Sequence, residues 1–240
     1  MSTTQESRQR IELDVDAWQI LEIPLGADAS WRYEEPSAQV QRAAGELEIR
    51  VERFERSHDE VQILDNPKHL LCSVGTFDVP RDGAAVFEYE MAAENFGGDP
   101  ADYRTGAAAF HLMDFSTAWI FDQLATERRT WALHERLLLP GLVDPAEAFT
   151  WVADRTFPPL SGPPSGFLRY SIELDAVRRR AVWTVDDQPY FEVRDLPHVP
   201  ESVTLGLSVL TLSPLENGRS TSLIHQGMRG RWRNLSYSIR

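Results

Sequence analysis

Residues Phe167–Val193, FLRYSIELDAVRRRAVWTVDDQPYFEV, decide the fold. Leu168, Tyr170, Ile172 and Leu174 alternate with Arg169, Ser171, Glu173 and Asp175, which is the period of a strand with one buried face. After a polar turn around Val177–Arg179, Ala181, Trp183 and Val185 begin a second alternation. Asp186-Asp187-Gln188 then turns the chain into Tyr190, Phe191 and Val193. Strands joined this closely form an antiparallel meander, and three with one apolar face are about the smallest sheet that holds together.

Outward from this stretch the same period recurs. Gly45–Val51 alternates cleanly, with charges on its exposed face of the kind that deter edge pairing. From Leu70 onward strands are expected at Val74–Val79, Ala84–Ala93, Gly106–Met113, Ala118–Ala125, Thr130–Leu138 and Ala148–Phe157, at the spacing of an all-β sandwich. Val203–Leu212 and Arg231–Ile239 supply the last ones. Pro158–Gly166 holds too many prolines and glycines for an element interior and reads as a surface connection. Ala17–Tyr33, around Pro24 and Gly26, reads as an edge segment crossing the sandwich. Residues 1–16 are polar and expected to be flexible, leaving 17–240 as one domain with a single short helix near Asp144–Ala148.

The meander also carries a resemblance. Ile172, Leu174 and Asp175, followed by Trp183, Val185, Asp186 and Asp187, resemble the late strands of concanavalin-A-like jelly rolls. Asp187 stands where those turns usually have glycine. The resemblance implies a fold, an antiparallel β-sandwich of the jelly-roll type, and no activity.

Composition narrows the function classes. In 240 residues, 42% hydrophobic content with 10% aromatics supports a sizeable core. A net charge of −13 argues against a nucleic-acid partner, which needs basic surface. Cys72 is the one cysteine, so no intramolecular disulfide can form, and its apolar surroundings, Leu70–Val74, read as those of a buried inert thiol. The opening MSTTQESRQRIELD lacks the apolar run of an export signal, and no run of about 18 apolar residues follows, so no membrane association and a cytoplasmic location are expected. Lys68 is the one lysine among many arginines, which suggests a high-GC actinobacterial source.

Jelly rolls of this type include lectins and family 16 glycoside hydrolases, and the hydrolases place two glutamates and an aspartate on alternate positions of one strand. Ala118–Leu124 supplies only Asp122, and Glu88 and Glu90 alternate on another strand without a third carboxylate. A retaining glycosidase is therefore not the first expectation. His111, Asp122 and His134 interrupt three apolar strands that follow one another, and together they would suit general acid–base work. The competing reading is three side chains hydrogen-bonded within the sheet. Trp119 and Trp131 share those strands and would line a pocket, with Glu88 and Glu90 as further substrate-binding groups. The spacing of these residues matches no metal motif, and Gly97-Gly98 opens no helix that could cradle phosphate, so no metal or other cofactor is expected.

Two runs, Gly75–Gly98 (GTFDVPRDGAAVFEYEMAAENFGG) and Ala107–Leu137 (AAAFHLMDFSTAWIFDQLATERRTWALHERL), resemble a family of actinobacterial proteins with no assigned activity. Such families often sit in natural-product gene clusters, and cofactor-free cyclases of polyether and tetronate pathways use β-barrel or sandwich scaffolds. Two expectations follow. One is a cofactor-free cyclase, pericyclase or isomerase of antibiotic biosynthesis, binding an apolar polyketide-like small molecule in an aromatic-lined cleft. The other is a carbohydrate-binding, lectin-like or glycan-processing jelly roll.

Overall fold

The computed structural model describes residues 8–25, 29–139, 142–153 and 166–240; the expected connection Pro158–Gly166 lies outside these but for its last residue. Leu168–Asp175, Arg180–Val185 and Gln188–Val193 pair antiparallel in succession. Both central residues of the last turn have positive φ, 46° at Asp186 and 64° at Asp187. A two-residue type I′ hairpin turn requires this left-handed pair. Aspartate is one of the few side chains that tolerate it. Arg169 fixes the turn: its backbone N–H donates to Asp186 Oδ1 at 3.1 Å, and its guanidinium pairs with Asp187.

The meander is one end of a sheet that continues through Ala84–Phe96, Gly227–Ile239, Glu46–Val51 and Gln39–Ala43. A second sheet runs Phe149–Ala153, Thr130–Arg136, Trp119–Ala125, Ala107–Asp114, Ser202–Leu210, Pro67–Asp78 and Trp18–Ile20. Phe87, Tyr89, Ile172 and Trp183 of the first sheet share one buried core with Phe110, Leu112, Phe121 and Leu205 of the second. Tyr89 stacks on Phe110 with ring centroids 3.9 Å apart, and Trp183 Nε1 donates to the Asp122 carbonyl at 2.9 Å. The fold is the expected antiparallel β-sandwich.

Several local expectations need correction. Glu46–Val51, whose charges suggested protection of an exposed edge, is an interior strand: Gly227–Ile239 pairs with one side of it and Gln39–Ala43 with the other. Its outward charges join a ladder in which Arg229 bonds Glu48 at 2.6 Å and Glu94 at 3.2 Å. Gln39–Ala43 carries one large apolar residue, Val40, and so gives no alternation to read. The short α-helix is at Gln62–Asp65, whereas Asp144–Ala148 is turn and coil. Arg8–Arg10 is paired with Ser236–Ser238, and Ile11 and Leu13 are buried, so this part of the expected flexible segment is packed.

Candidate active site on the outer face of one sheet

Cross-strand partners share a face, so register decides which side chains can meet. Asp122 lies opposite His111 and Leu133, whereas Phe121 lies opposite Leu112 and His134. Phe121 and Leu112 belong to the core between the sheets. Asp122 and His111 therefore point the other way, onto the outer face. There His111 Nδ1 stands 2.8 Å from Asp122 Oδ1. On the far side of the ring, His111 Nε2 and Ser208 Oγ are 2.7 Å apart. All three side chains are buried. Gly206 lies across from His111, and a Cβ there would come within 2.9 Å of His111 Cδ2 and 2.9 Å of Met113 Cε. A glycine at this position is what lets the imidazole lie against the sheet.

Glu135 is opposite Ile120 in the register and shares the outer face with Asp122. Its Oε2 accepts from Thr150 Oγ1 at 3.0 Å. Although the residue keeps some solvent exposure, burial pushes its carboxyl up to about 8, with the Asp122 charge adding to the rise. Burial also raises the Asp122 carboxyl, against the opposing pull of His111. His111, Asp122 and Glu135 line one narrow cavity of about 70 Å³, walled by Leu21, Tyr33, Met113, Phe115, Ile120 and Leu137 among others. A carboxyl that keeps its proton near neutral pH thus faces the Asp122–His111 pair in a narrow, largely apolar slot, and two titratable environments of this kind can divide the roles of acid and base.

The remaining expected site residues are elsewhere. His134 is on the inner face, stacked on Phe121 at 4.7 Å and Trp119 at 5.0 Å, with Phe149 edge-on at 5.2 Å. Burial holds it neutral, down at about 4, and Nδ1 is 3.2 Å from the Ile120 carbonyl. Trp119 belongs to the same core. Trp131 is on the outer face but packs into an apolar cluster with Leu124, Leu133 and Leu210, edge-on to Tyr103. Glu88 and Glu90 are on the outer face of the other sheet: Glu88 pairs with Arg8 at 3.4 Å, and Glu90 accepts from Arg233 at 2.7 Å and Asn234 at 2.9 Å. Glu88 also lines an open groove on that face. Cys72 is a free, buried thiol whose pKa burial raises.

Glu135 and Ser208 are functional candidates that the sequence reading leaves out. The signal for Glu135 is present, since it interrupts the apolar series Trp131, Leu133, Leu137 at alternate positions. For Ser208 nothing local distinguishes it from any strand serine. A larger, open groove of about 960 Å³ lies on the outer face of the other sheet, around Glu173, Arg180 and Glu192. There Arg180 is engaged by Glu173 at 3.0 Å and Glu192 at 3.4 Å.

Comparison with known proteins agrees with this fold. A family model described as a family of unknown function, DUF6081, matches residues 15–240. No curated protein matches the sequence. Among solved structures, the chain is similar to an endo-1,3-β-glucanase from Streptomyces sioyaensis, with a TM-score of 0.59 and 13% identity, covering 100% of this chain and 99% of that one. The β-glucanase of Bacillus licheniformis gives a TM-score of 0.55 at 12% identity, covering 99% of both chains. The catalytic domain of an endo-1,3-β-glucanase (laminarinase) from Thermotoga petrophila gives 0.54 at 14%, covering 98% of this chain and 99% of that one. At these identities the likeness is one of fold. Those three structures are glucanases, and none of the comparisons bears on polyketide cyclisation.

Proposed function

We propose, from the premise that the chain belongs to the DUF6081 family, that it is a cofactor-free acid–base enzyme acting on a small, largely apolar molecule. The observation that carries this reading is the placement of Glu135 and the His111–Asp122 pair in one narrow apolar cavity. In the reaction it supports, the His111–Asp122 pair accepts a proton from the substrate while Glu135 donates one at a second position. The net change is an isomerisation or ring closure without a leaving group. Ser208 on His111 Nε2 would hold the ring against the sheet while Nδ1 faces Asp122. The polyketide nature of the substrate and a place in antibiotic biosynthesis rest on the sequence resemblance alone.

A second reading, a carbohydrate-binding or glycan-processing protein, is favoured by the fold it shares with glucanases. One observation weighs against hydrolysis of the family 16 kind. The outward positions of Trp119–Ala125 are Ile120, Asp122 and Leu124, so aliphatic residues flank the one carboxylate.

The two readings separate in one experiment. The chain would be incubated in D₂O with a panel of unsaturated apolar acids and ketones, and in parallel with laminarin and mixed-linkage glucan. Same-mass isomers or solvent deuterium in an apolar substrate, lost in Asp122→Asn and Glu135→Gln, are expected. New reducing ends from a glucan, lost in the same variants, would establish the second reading and overturn the first.

A further inference from the structure

At the opposite, inner side of Pro67–Asp78 lies a second cavity, of about 550 Å³, lined by Arg42, Arg56 and His69 with Ile20, Val40 and Leu71 as part of its apolar wall. Gln39–Ala43 and Trp18–Ile20 end their respective sheets here, so the sandwich interior opens between two edge strands. His69 is only 4% exposed, yet neither ring nitrogen has a hydrogen-bond partner. Buried polar groups are seldom left so, because each unmet group costs about 1–3 kcal/mol. The Nε groups of Arg42 and Arg56 are buried and equally without partners.

Asp14 lies close enough for its charge to act on Arg42, and the two glutamates that line the cavity are already engaged. Glu35 accepts the backbone N–H of Glu55 at 3.1 Å and of Arg56 at 3.2 Å, and Glu34 pairs with Arg32 at 2.9 Å. Arg56 lies over the Trp31 ring at 4.1 Å and donates to the Glu34 carbonyl at 2.9 Å, which fixes its guanidinium while Nε stays open. Two guanidinium groups and a ring N–H with unused donors, against an apolar wall, have the chemistry of a carboxylate site.

We infer that the cavity bounded by Arg42, Arg56 and His69 binds a small organic carboxylate, with the carboxylate on the guanidinium groups and its apolar body against Ile20, Val40 and Leu71. The site is separate from the one on the outer face and holds whether or not that one is catalytic. Burial keeps His69 neutral at pH 7, down at about 4. A neutral ring offers one N–H donor and one acceptor nitrogen, which suits acids that also carry a hydroxyl.

The test is a titration of the full chain with sodium benzoate, matched against sodium chloride, following the His69 ring resonances by NMR with His69→Phe for assignment. A saturable shift of His69 is expected, with affinity about tenfold weaker in Arg42→Gln and unchanged in Arg81→Gln, whose side chain is exposed and paired with Glu201. A response no larger than that to sodium chloride overturns the inference, because it needs no variant to fold. Binding of equal strength in Arg42→Gln with an unaltered circular dichroism spectrum overturns it as well.

Discussion

Glu135 shows burial outweighing the solvation of a charge. Its carboxyl titrates at about 8 in the folded chain against an ordinary 4.5, so between these values the folded protein holds a proton that the unfolded chain has released. Stability therefore falls as pH rises from about 4.5 through about 8. Glu135→Gln is expected to flatten that part of the profile, measured as urea midpoint against pH; an unchanged slope would mean that Glu135 is ionised in the fold. The neighbouring residue carries the lesson in legibility. His134 and Glu135 are adjacent, and a one-residue choice of face sends one into an aromatic stack and the other into the cavity. Both interrupt an apolar strand, and only the pairing of Phe121 with His134 tells them apart.

Among the elements, the meander is written locally and the edge strands are not. Alternation and turn residues specify Leu168–Asp175, Arg180–Val185 and Gln188–Val193, because each pairs with its neighbour in the chain. Gln39–Ala43 has no such signature, being polar on both faces and held by pairing with Glu46–Val51. The Asp186-Asp187 turn bears a strain that the sequence also announces, with aspartate in the left-handed position where glycine is at ease. The Asp187 pair with Arg169 is largely exposed and worth little in return. Asp187→Gly is expected to raise stability by about 0.5 kcal/mol in equilibrium unfolding; a loss of stability would show that the side chain holds the turn.

For the whole molecule, the contact between the sheets is what makes two faces out of one chain. Tyr89 on Phe110 joins the strand centres of both sheets. Phe110→Ala is expected to cost about 3–5 kcal/mol, with far- and near-ultraviolet signals lost together. A cost under about 1 kcal/mol would place the core elsewhere. The sequence by itself determined the strand period, the meander with its turns, and a sandwich in which apolar faces meet, because these depend on residues close together in the chain. It also marked His111 and Asp122 as polar interruptions of apolar strands. Tertiary structure alone decided that these two meet across a strand pair while His134 turns inward, and that Ser208, far along the chain, closes on His111. It alone left Arg42 and His69 facing one opening from different sheets. The reason is physical: register and sheet order are set by long-range pairing and core packing, and a single residue's shift exchanges the two faces without changing the local pattern.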